Sequence, residues 1–474
     1  MALVLAPVLR AQEPRPLTLQ QAIALAQERG DQARAAEATR SAARYRDRAF
    51  YSRLMPQLSL GGSVPSYNRS IIPVVQPDGS TLFRPQDQTN ATMTATVAQK
   101  LPLTGGDFFV QSSLARLSVS GAQSVRTWSS TPVTFGLRQD LFRPNASGWD
   151  RREEAVRSEL AERQFLEARE DIALGTANLF FDVYSAQMAL NNALKNAAVN
   201  DTLYTLNKGR FEVGRIGEND LLQSELALLR SRNTLDGARL EYERSLASLR
   251  LALNLPADTA LAIDVTAEVP AFEPDTARAV AEALRNRAGV SDAALQEVQA
   301  RRRVTEARLS TGIGATVQAS YGFNATAEEF HLAYTNLLEA RQFSLGVQVP
   351  LIQWGSRKES VQAAEADRER VTALAHQSLE QIALDARFAA LQLSQAGRGL
   401  ALSAKADTVS AKRFEVAYNR YLIGRITIDN LYIAQTERDA ALAQYVQALR
   451  GYWDAHYRLR RATLFDFATG QPIR

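Results

Sequence analysis

Cysteine is absent from the 474 residues. That excludes disulfides, thiolate metal sites, a cysteine nucleophile and a lipid anchor carried on cysteine. Histidine is nearly absent too: His331, His376 and His456 lie far apart. No HExxH, phosphate-loop or nucleophile-elbow pattern occurs. The adjacent acids Glu153-Glu154 and Glu328-Glu329 point to different sides of a helix, so they read as solvated rather than as an acid–base pair. Gly61-Gly62 and Gly105-Gly106 lack the lysine and helix start of a phosphate loop. The expectation is no catalytic residue, no metal and no cofactor. Charge of one sign is also missing: 55 basic residues face 51 acidic ones, interspersed, for a net charge of +4. A nucleic-acid partner is therefore not expected, and Arg301–Arg303 reads as a solvated helix face. No run reaches the roughly 18 apolar residues of a membrane-spanning helix. Transmembrane strands leave a fainter trace and are not excluded. The short apolar start Met1–Leu9, followed by Arg10 and Ala11, reads as a signal-peptide remnant over residues 1–12.

What is present is a duplication. A shift of 210 residues lays Gly214-Arg215-Ile216 on Gly424-Arg425-Ile426, Arg210 on Arg420, Phe211 on Tyr421, Leu221 on Leu431 and Leu141 on Leu351. The opening helix Thr18–Arg29 has a looser counterpart in Thr276–Arg287. The first repeat is taken as residues 13–253 and the second as 275–463. Each runs helix, strands, a very long helix, a glycine turn and a returning helix. Breaks in the opening helices are expected near Gly30 and Gly289. Residues 254–274 connect the repeats, and 464–474 form a tail.

The long segments carry helical spacing. Ile172, Leu179, Val183, Ala186, Leu190 and Leu194 recur at intervals of seven, four and three, and Ile382, Ala389, Leu393, Ala396, Leu400 and Ala404 repeat the stripe. Leu141 to Gly214 and Leu351 to Gly424 are each 73 residues, about 110 Å if helical throughout. Each long helix can thus lie antiparallel to a stack of two shorter ones. Gly214 and Gly424 supply left-handed residues for the turns 211–220 and 421–430, with Asn219 or Thr427 as the next helix cap.

Between the helices the period falls to two, over residues 56–142 and 313–352. Phe343, Leu345, Val347 and Val349 alternate with Ser344, Gly346 and Gln348; Val133, Phe135 and Leu137 alternate with Thr134, Gly136 and Arg138. Ile313–Phe323 alternates likewise, and Pro56–Val64 is a weaker fourth strand. A half-buried soluble sheet gives the same pattern. Two very long helices, with no further domain to cover the sheet, favour a wall between lipid and water. Four strands cannot close a barrel, and an open edge in lipid is forbidden, so several chains must share one. Thr92–Leu101 and Asp107–Val119 suggest a further hairpin of unassigned role, and Ser66–Gln88 reads as an exposed loop. Phe142 and Trp354, just past the strands, mark the membrane interface.

Taken together, the chain resembles the TolC-like outer-membrane efflux family over nearly its whole length. The resemblance rests on Leu17-Thr18-Leu19-Gln20-Gln21-Ala22-Ile23, Leu54-Met55-Pro56-Gln57-Leu58, Phe211-Glu212-Val213-Gly214-Arg215 with its copy Tyr421-Leu422-Ile423-Gly424-Arg425, Asp220-Leu221-Leu222-Gln223 and Asp429-Asn430-Leu431. It implies a mainly α fold with a membrane β-barrel. Duplicated long-helix hairpins would form a trimeric α-helical tunnel, and four or more strands per chain would contribute to a shared barrel, twelve in all for four. It implies a homotrimer in the outer membrane of a Gram-negative bacterium, in contact with lipid and extending into the periplasm. Residues 254–274 and 464–474 would form an equatorial belt. Phe211, Gly214, Arg215, Asp220, Tyr421, Gly424 and Arg425 would meet a periplasmic adaptor (membrane fusion) protein coupled to an inner-membrane transporter. Arg425, Asp429 and Asn430 would border a periplasmic gate, whose acidity is weakened because Ile433 stands where an acid stands in relatives. The function implied is passive efflux or type I secretion, with small molecules or drugs as the default cargo, since no methionine- or histidine-rich track favours soft metals. A soluble periplasmic coiled-coil scaffold is the alternative.

Overall fold

The computed structural model describes residues 16–121, 124–265, 269–270 and 272–473; the expected signal remnant at 1–12 lies outside them. The chain runs β1 (Leu17–Thr18), α1 (Leu19–Arg29), α2 (Asp31–Arg53), β2 (Gln57–Val75), β3 (Thr81–Leu101), β4 (Gly106–Ser120), β5 (Val125–Leu141), α3 (Ala146–Glu212), α4 (Glu218–Ala252), β6 (Ile263–Asp264), α5 (Thr276–Asn286), α6 (Ala288–Ser310), β7 (Gly314–Ala327), β8 (Leu338–Gln348), α7 (Ser356–Leu422), α8 (Ile428–Thr463), β9 (Phe465–Asp466) and β10 (Gln471–Pro472). The duplication is visible in helix lengths. α1 and α5 have 11 residues each, α2 and α6 have 23, α3 and α7 have 67, and α4 and α8 have 35 and 36. Two compact units result: one from the described residues of Met1–Ser41, Leu160–Val290 and Ser378–Arg474, the other from Ala42–Glu159 and Ser291–Gln377.

The first unit is helical. α1 starts with a capping box: Thr18 Oγ1 accepts from the Gln21 N–H at 3.3 Å while Gln21 Oε1 accepts from the Thr18 N–H at 3.1 Å. Its end is at Gly30, and the matching break falls at Arg287 (φ −65°, ψ 140°), two residues from Gly289, near which it is expected. Glu167 decides this. Its Oε1 accepts from Arg287 Nε at 2.6 Å and from the Ala288 N–H at 2.9 Å, so one carboxylate both holds the kink and caps α6. Gly289 instead sits inside α6, where a Cβ would stand 2.9 Å from Ile382 Cδ1. The expected stripe is buried at Ile172, Val183, Ala186, Ile382, Ala389, Leu393 and Leu400; Ile172, Val183, Ala389, Leu393 and Leu400 join Phe180, Phe181, Leu249, Leu253 and Leu459 in the main core, while Ile382 packs with Ala283 and Ala386 in a smaller one. Leu194 departs from it, 43% exposed, and Ala193 takes the seam; a 3.6-residue period drifts off a seven-residue one. On α4 the buried seam holds Ser224, Ser231 and Ser245, each hydroxyl folded back onto the carbonyl three residues earlier. Small, self-satisfied side chains keep this seam narrow without orphaning polar groups. The connecting segment and the tail pack here as well: β1 pairs with β6 in parallel, β9 with β10 antiparallel, and Tyr452 donates to the Pro270 carbonyl at 2.7 Å.

The second unit is built on one antiparallel sheet of order β2-β3-β4-β5-β7-β8. Six strands replace the four read from the sequence. The hairpin of unassigned role is β3 and β4, in the middle of the sheet, and Ser66–Gln88 is not a loop but the continuation of β2 and β3 about a turn at residues 76–80. Pro73 is tolerated because β2 is an edge strand; Pro85 lies beyond the reach of β4, whose pairing ends at Asp87↔Ser120. Register puts Leu58, Val97, Val110, Phe135 and Tyr321 on one face, followed by Leu137, Phe343 and Leu345. The other face carries Ser59, Thr96, Gln111, Arg138, Gln318 and Ser344. The large apolar residues are exposed: Leu58 76%, Phe135 46%, Phe343 72%. Glu153 and Glu154, read as solvated, are in fact buried. Arg157 pairs with both and Arg302 with Glu153, Asp150 and Glu306, so the basic strip is half-buried and paired at its centre, while Arg301 and Arg303 are exposed as expected. Glu328 and Glu329 are exposed, as expected. Among the described residues no helix is long and apolar enough to cross a membrane, and no cluster of metal-binding side chains occurs.

Candidate functional site: the paired hairpin tips

Both long helices of the first unit end in the same way. Gly214 and Gly424 each adopt φ +71°. The N–H of Arg215 reaches the Arg210 carbonyl at 2.8 Å and that of Arg425 reaches the Arg420 carbonyl at 2.9 Å. These six-residue closures satisfy the last helical carbonyls and require a residue free to be left-handed, which glycine is. α8 then starts on Thr427, whose Oγ1 accepts from the Asn430 N–H at 3.5 Å, as the sequence suggests. α4 starts on Gly217 with no side-chain cap, so Asn219 is not the cap expected of it.

The two tips meet. Tyr421, 5% exposed, donates its hydroxyl to Asn207 Oδ1 at 2.6 Å. Arg210 lies over the Tyr421 ring at 5.2 Å and donates to the Leu422 carbonyl at 2.9 Å. Beneath them Leu203, Ile428 and Leu431 pack with Tyr421 in a small separate core. The second tip is thus tied to α3 by one buried hydrogen bond, one cation over a ring and an apolar plug.

Such twin helical hairpins joined to an antiparallel sheet recur among solved structures, whereas no protein-family model and no curated protein sequence matches the chain. The Campylobacter jejuni CmeC outer membrane channel aligns with TM-score 0.68 and 14% identity over 96% of this chain and 86% of its own. The Vibrio cholerae outer membrane protein VceC aligns with TM-score 0.66 and 14% identity over 96% and 97%. The open state of the Neisseria gonorrhoeae MtrE outer membrane channel gives 0.61 and 15% over 96% and 90%. The chain has the TolC-like fold.

Within that TolC-like frame the sequence-selected residues fall in two places. Phe211, Gly214, Arg215, Gly424 and Arg425 are exposed on the tips, Asp220 is half-buried, and Tyr421 is buried between them. Of the three gate candidates, Arg425 is exposed and has no ion pair among the described residues, Asp429 accepts from Gln223 Nε2 at 2.6 Å, and Asn430 bonds Thr427 Oγ1 through its Nδ2 at 3.0 Å. Asp429 is exposed, and its one hydrogen bond links α8 to α4. Phe142 and Trp354 belong to the second unit; Phe142 directly follows β5, and Trp354 lies past β8, two residues before α7. They are 68% and 95% exposed at φ 59° and 48°. Bulky residues in the left-handed region are uncommon.

Sequence reasoning passed over Asn207 and Gln223, whose roles depend on partners more than 200 positions away; Arg210 was visible only as a repeat match to Arg420. It also missed a groove of about 1180 Å³ between α3, α4 and α8. Its walls hold Ser185 Oγ, Asn200 Oδ1, Tyr432 OH and Gln435 Oε1, all buried without a hydrogen-bond partner among the described residues. Four such atoms in one groove call for water or a polar partner, not a dry interface. Burial raises the Tyr432 phenol well above its ordinary value, so it stays a neutral donor.

Proposed function

We propose that the chain is one protomer of an outer-membrane export channel: a passive conduit from periplasm to exterior, not an enzyme. The observation that carries this is the sheet of the second unit. Its one face is apolar and exposed across all six strands, and its two edge strands, β2 and β8, each leave their outer edge unpaired among the described residues. An exposed apolar band of this extent is an aggregation hazard in water but the normal outer surface of a barrel in lipid. Unpaired edges in lipid cost several kcal/mol per group, so further copies must close the wall. The TolC-like fold supports three copies, a homotrimer, with the helices lining a periplasmic tunnel.

In this reading the exposed tips 211–220 and 421–430 engage a periplasmic adaptor protein and, through it, an inner-membrane pump that sets the cargo; small molecules are the default cargo. The Tyr421–Asn207 and Asp429–Gln223 bonds hold the tip closed, and opening requires both to break while Arg425 remains free. The test is reconstitution of the purified protein in planar bilayers. Discrete conductance steps are expected. Recovery in the soluble fraction without detergent, with no conductance, would overturn the channel and favour the coiled-coil scaffold.

A further inference from the structure

The duplicated plan accounts for only four of the six strands. The helices before the sheet match at an offset of 257 (Leu19 with Thr276, Asp31 with Ala288), whereas the helices after it match at 210 (Ala146 with Ser356, Glu218 with Ile428). The first repeat therefore holds 47 residues more than the second, all between α2 and α3. At the first offset β2 falls on β7, with Leu58 and Leu60 on Ala315 and Val317. At the second, β5 falls on β8, with Leu137 on Val347. What remains, β3 and β4, is an inserted hairpin in the middle of the wall.

The insert is not an appendage. β3 pairs with β2 along nearly its whole length and with β4 from Asp87 to Leu101, and β4 pairs with β5. Its faces obey the same alternation: Met93, Val97 and Val110 share the apolar side, while Thr94, Thr96 and Gln111 share the polar side. Its turn is fastened at the helix end of the sheet. Asn145 Nδ2 donates to the Pro102 and Leu103 carbonyls at 2.8 and 3.1 Å, while Asn145 Oδ1 accepts from the Gly148 N–H at the start of α3 at 2.8 Å. Gln139 Nε2 adds a bond to the Thr104 carbonyl at 2.9 Å. One asparagine thus ties the inserted turn to the first turn of the long helix.

We propose that a second copy of this chain pairs its β2 with β8 of the first, and that three copies close a barrel of eighteen strands rather than twelve; the proposal rests on the channel reading above. Six is an even number, so β8 runs opposite to the β2 of the next copy, and the junction is antiparallel like every other pair in the sheet. β8, at 11 residues, matches the roughly 9–11 that a tilted strand needs to cross the hydrocarbon. The apolar band reaches both edges, through Leu58 and Leu60 on β2 and Phe343, Leu345 and Val347 on β8. With strands about 4.8 Å apart and tilted by about 40°, eighteen give a backbone diameter of about 36 Å, against about 24 Å for twelve. The membrane section is then wide enough to pass cargo that the helical tip must select.

Because the chain has no cysteine, single cysteines can map the wall in membranes holding the full-length protein. The pairs Met93→Cys and Thr94→Cys on β3, Val110→Cys and Gln111→Cys on β4, and Leu345→Cys and Ser344→Cys as reference on β8 are treated with a water-soluble and a lipid-confined thiol reagent. The proposal expects the same alternation on all three strands: lipid labelling at 93, 110 and 345, water labelling at 94, 111 and 344. Alternation on β8 with water labelling at both residues of β3 and β4 would overturn the eighteen-strand wall and leave the channel intact. Loss of alternation on β8 as well would overturn both.

Discussion

The bond between Tyr421 and Asn207 is the most informative single contact to cut. Tyr421→Phe keeps the ring under Arg210 and the apolar plug of Leu203, Ile428 and Leu431, and removes only the hydroxyl that donates at 2.6 Å. Asn207 is fully buried and its Nδ2 already has no partner, so the variant leaves both ends of that amide unsatisfied. Orphaning a buried acceptor costs about 1–3 kcal/mol. If the closed tip holds this bond and the open tip exposes Asn207 to water, the whole cost falls on the closed state. The closed-to-open ratio then drops by roughly 5- to 150-fold. Single-channel recording of the variant in planar bilayers reads this as longer or more frequent openings without a change in unit conductance. Tyr418→Phe, on a ring that lies tilted 6.1 Å from Phe414 and whose hydroxyl has no hydrogen bond among the described residues, is the control and leaves openings unchanged. Parent-like openings in a correctly assembled Tyr421→Phe channel would refute the assignment of this bond to the closed state.

Three further outcomes are expected. Gly214→Ala and Gly424→Ala each cost about 1–2 kcal/mol of stability through left-handed backbone alone, since nothing lies within 4 Å of a new Cβ; thermal melts check this, with Gly→Asn the milder change. Leu345→Arg on the apolar face costs about 2–4 kcal/mol per chain in a membrane wall while Ser344→Arg on the polar face is tolerated; the heat resistance of the assembled protein on gels separates them. His456 sits among Phe272, Trp453 and Tyr457, where burial and then Arg460 push its pKa down to about 4. The unfolded chain therefore takes up the proton first as pH falls below about 6.5, so the contribution present at pH 7 is lost between about 6.5 and 4, roughly 2 kcal/mol of it by pH 5. His456→Phe flattens that part of the melting-temperature profile; an identical pH slope in parent and variant would remove His456 from the account.

The tips were legible because both signals there are local. A glycine that must be left-handed and an i, i+7 stripe are read within a few residues, and the duplication repeated each of them. The kink near Gly289 was legible, but its placement two residues earlier at Arg287 was not, because Glu167, which holds it, is 120 positions away. The inserted strands were half legible. β3 alternates Thr92-Met93-Thr94-Ala95-Thr96-Val97, a pattern whose apolar members are too small or sparse to stand out. Beyond the apolar belt, β2 and β3 carry polar residues and prolines on both faces, and nothing in water demands alternation there. Glu153 was misread because its partner Arg302 comes from α6 and does not show in a local window; the partner of Glu154, Arg157, is local, but the burial of Glu154 is set by the tertiary fold.

The central claim, that several copies share one membrane wall, is tested most directly by the native mass of the protein extracted from outer membranes in mild detergent. The account predicts three chains of 52.2 kDa in one particle. A monomer released without detergent would contradict it.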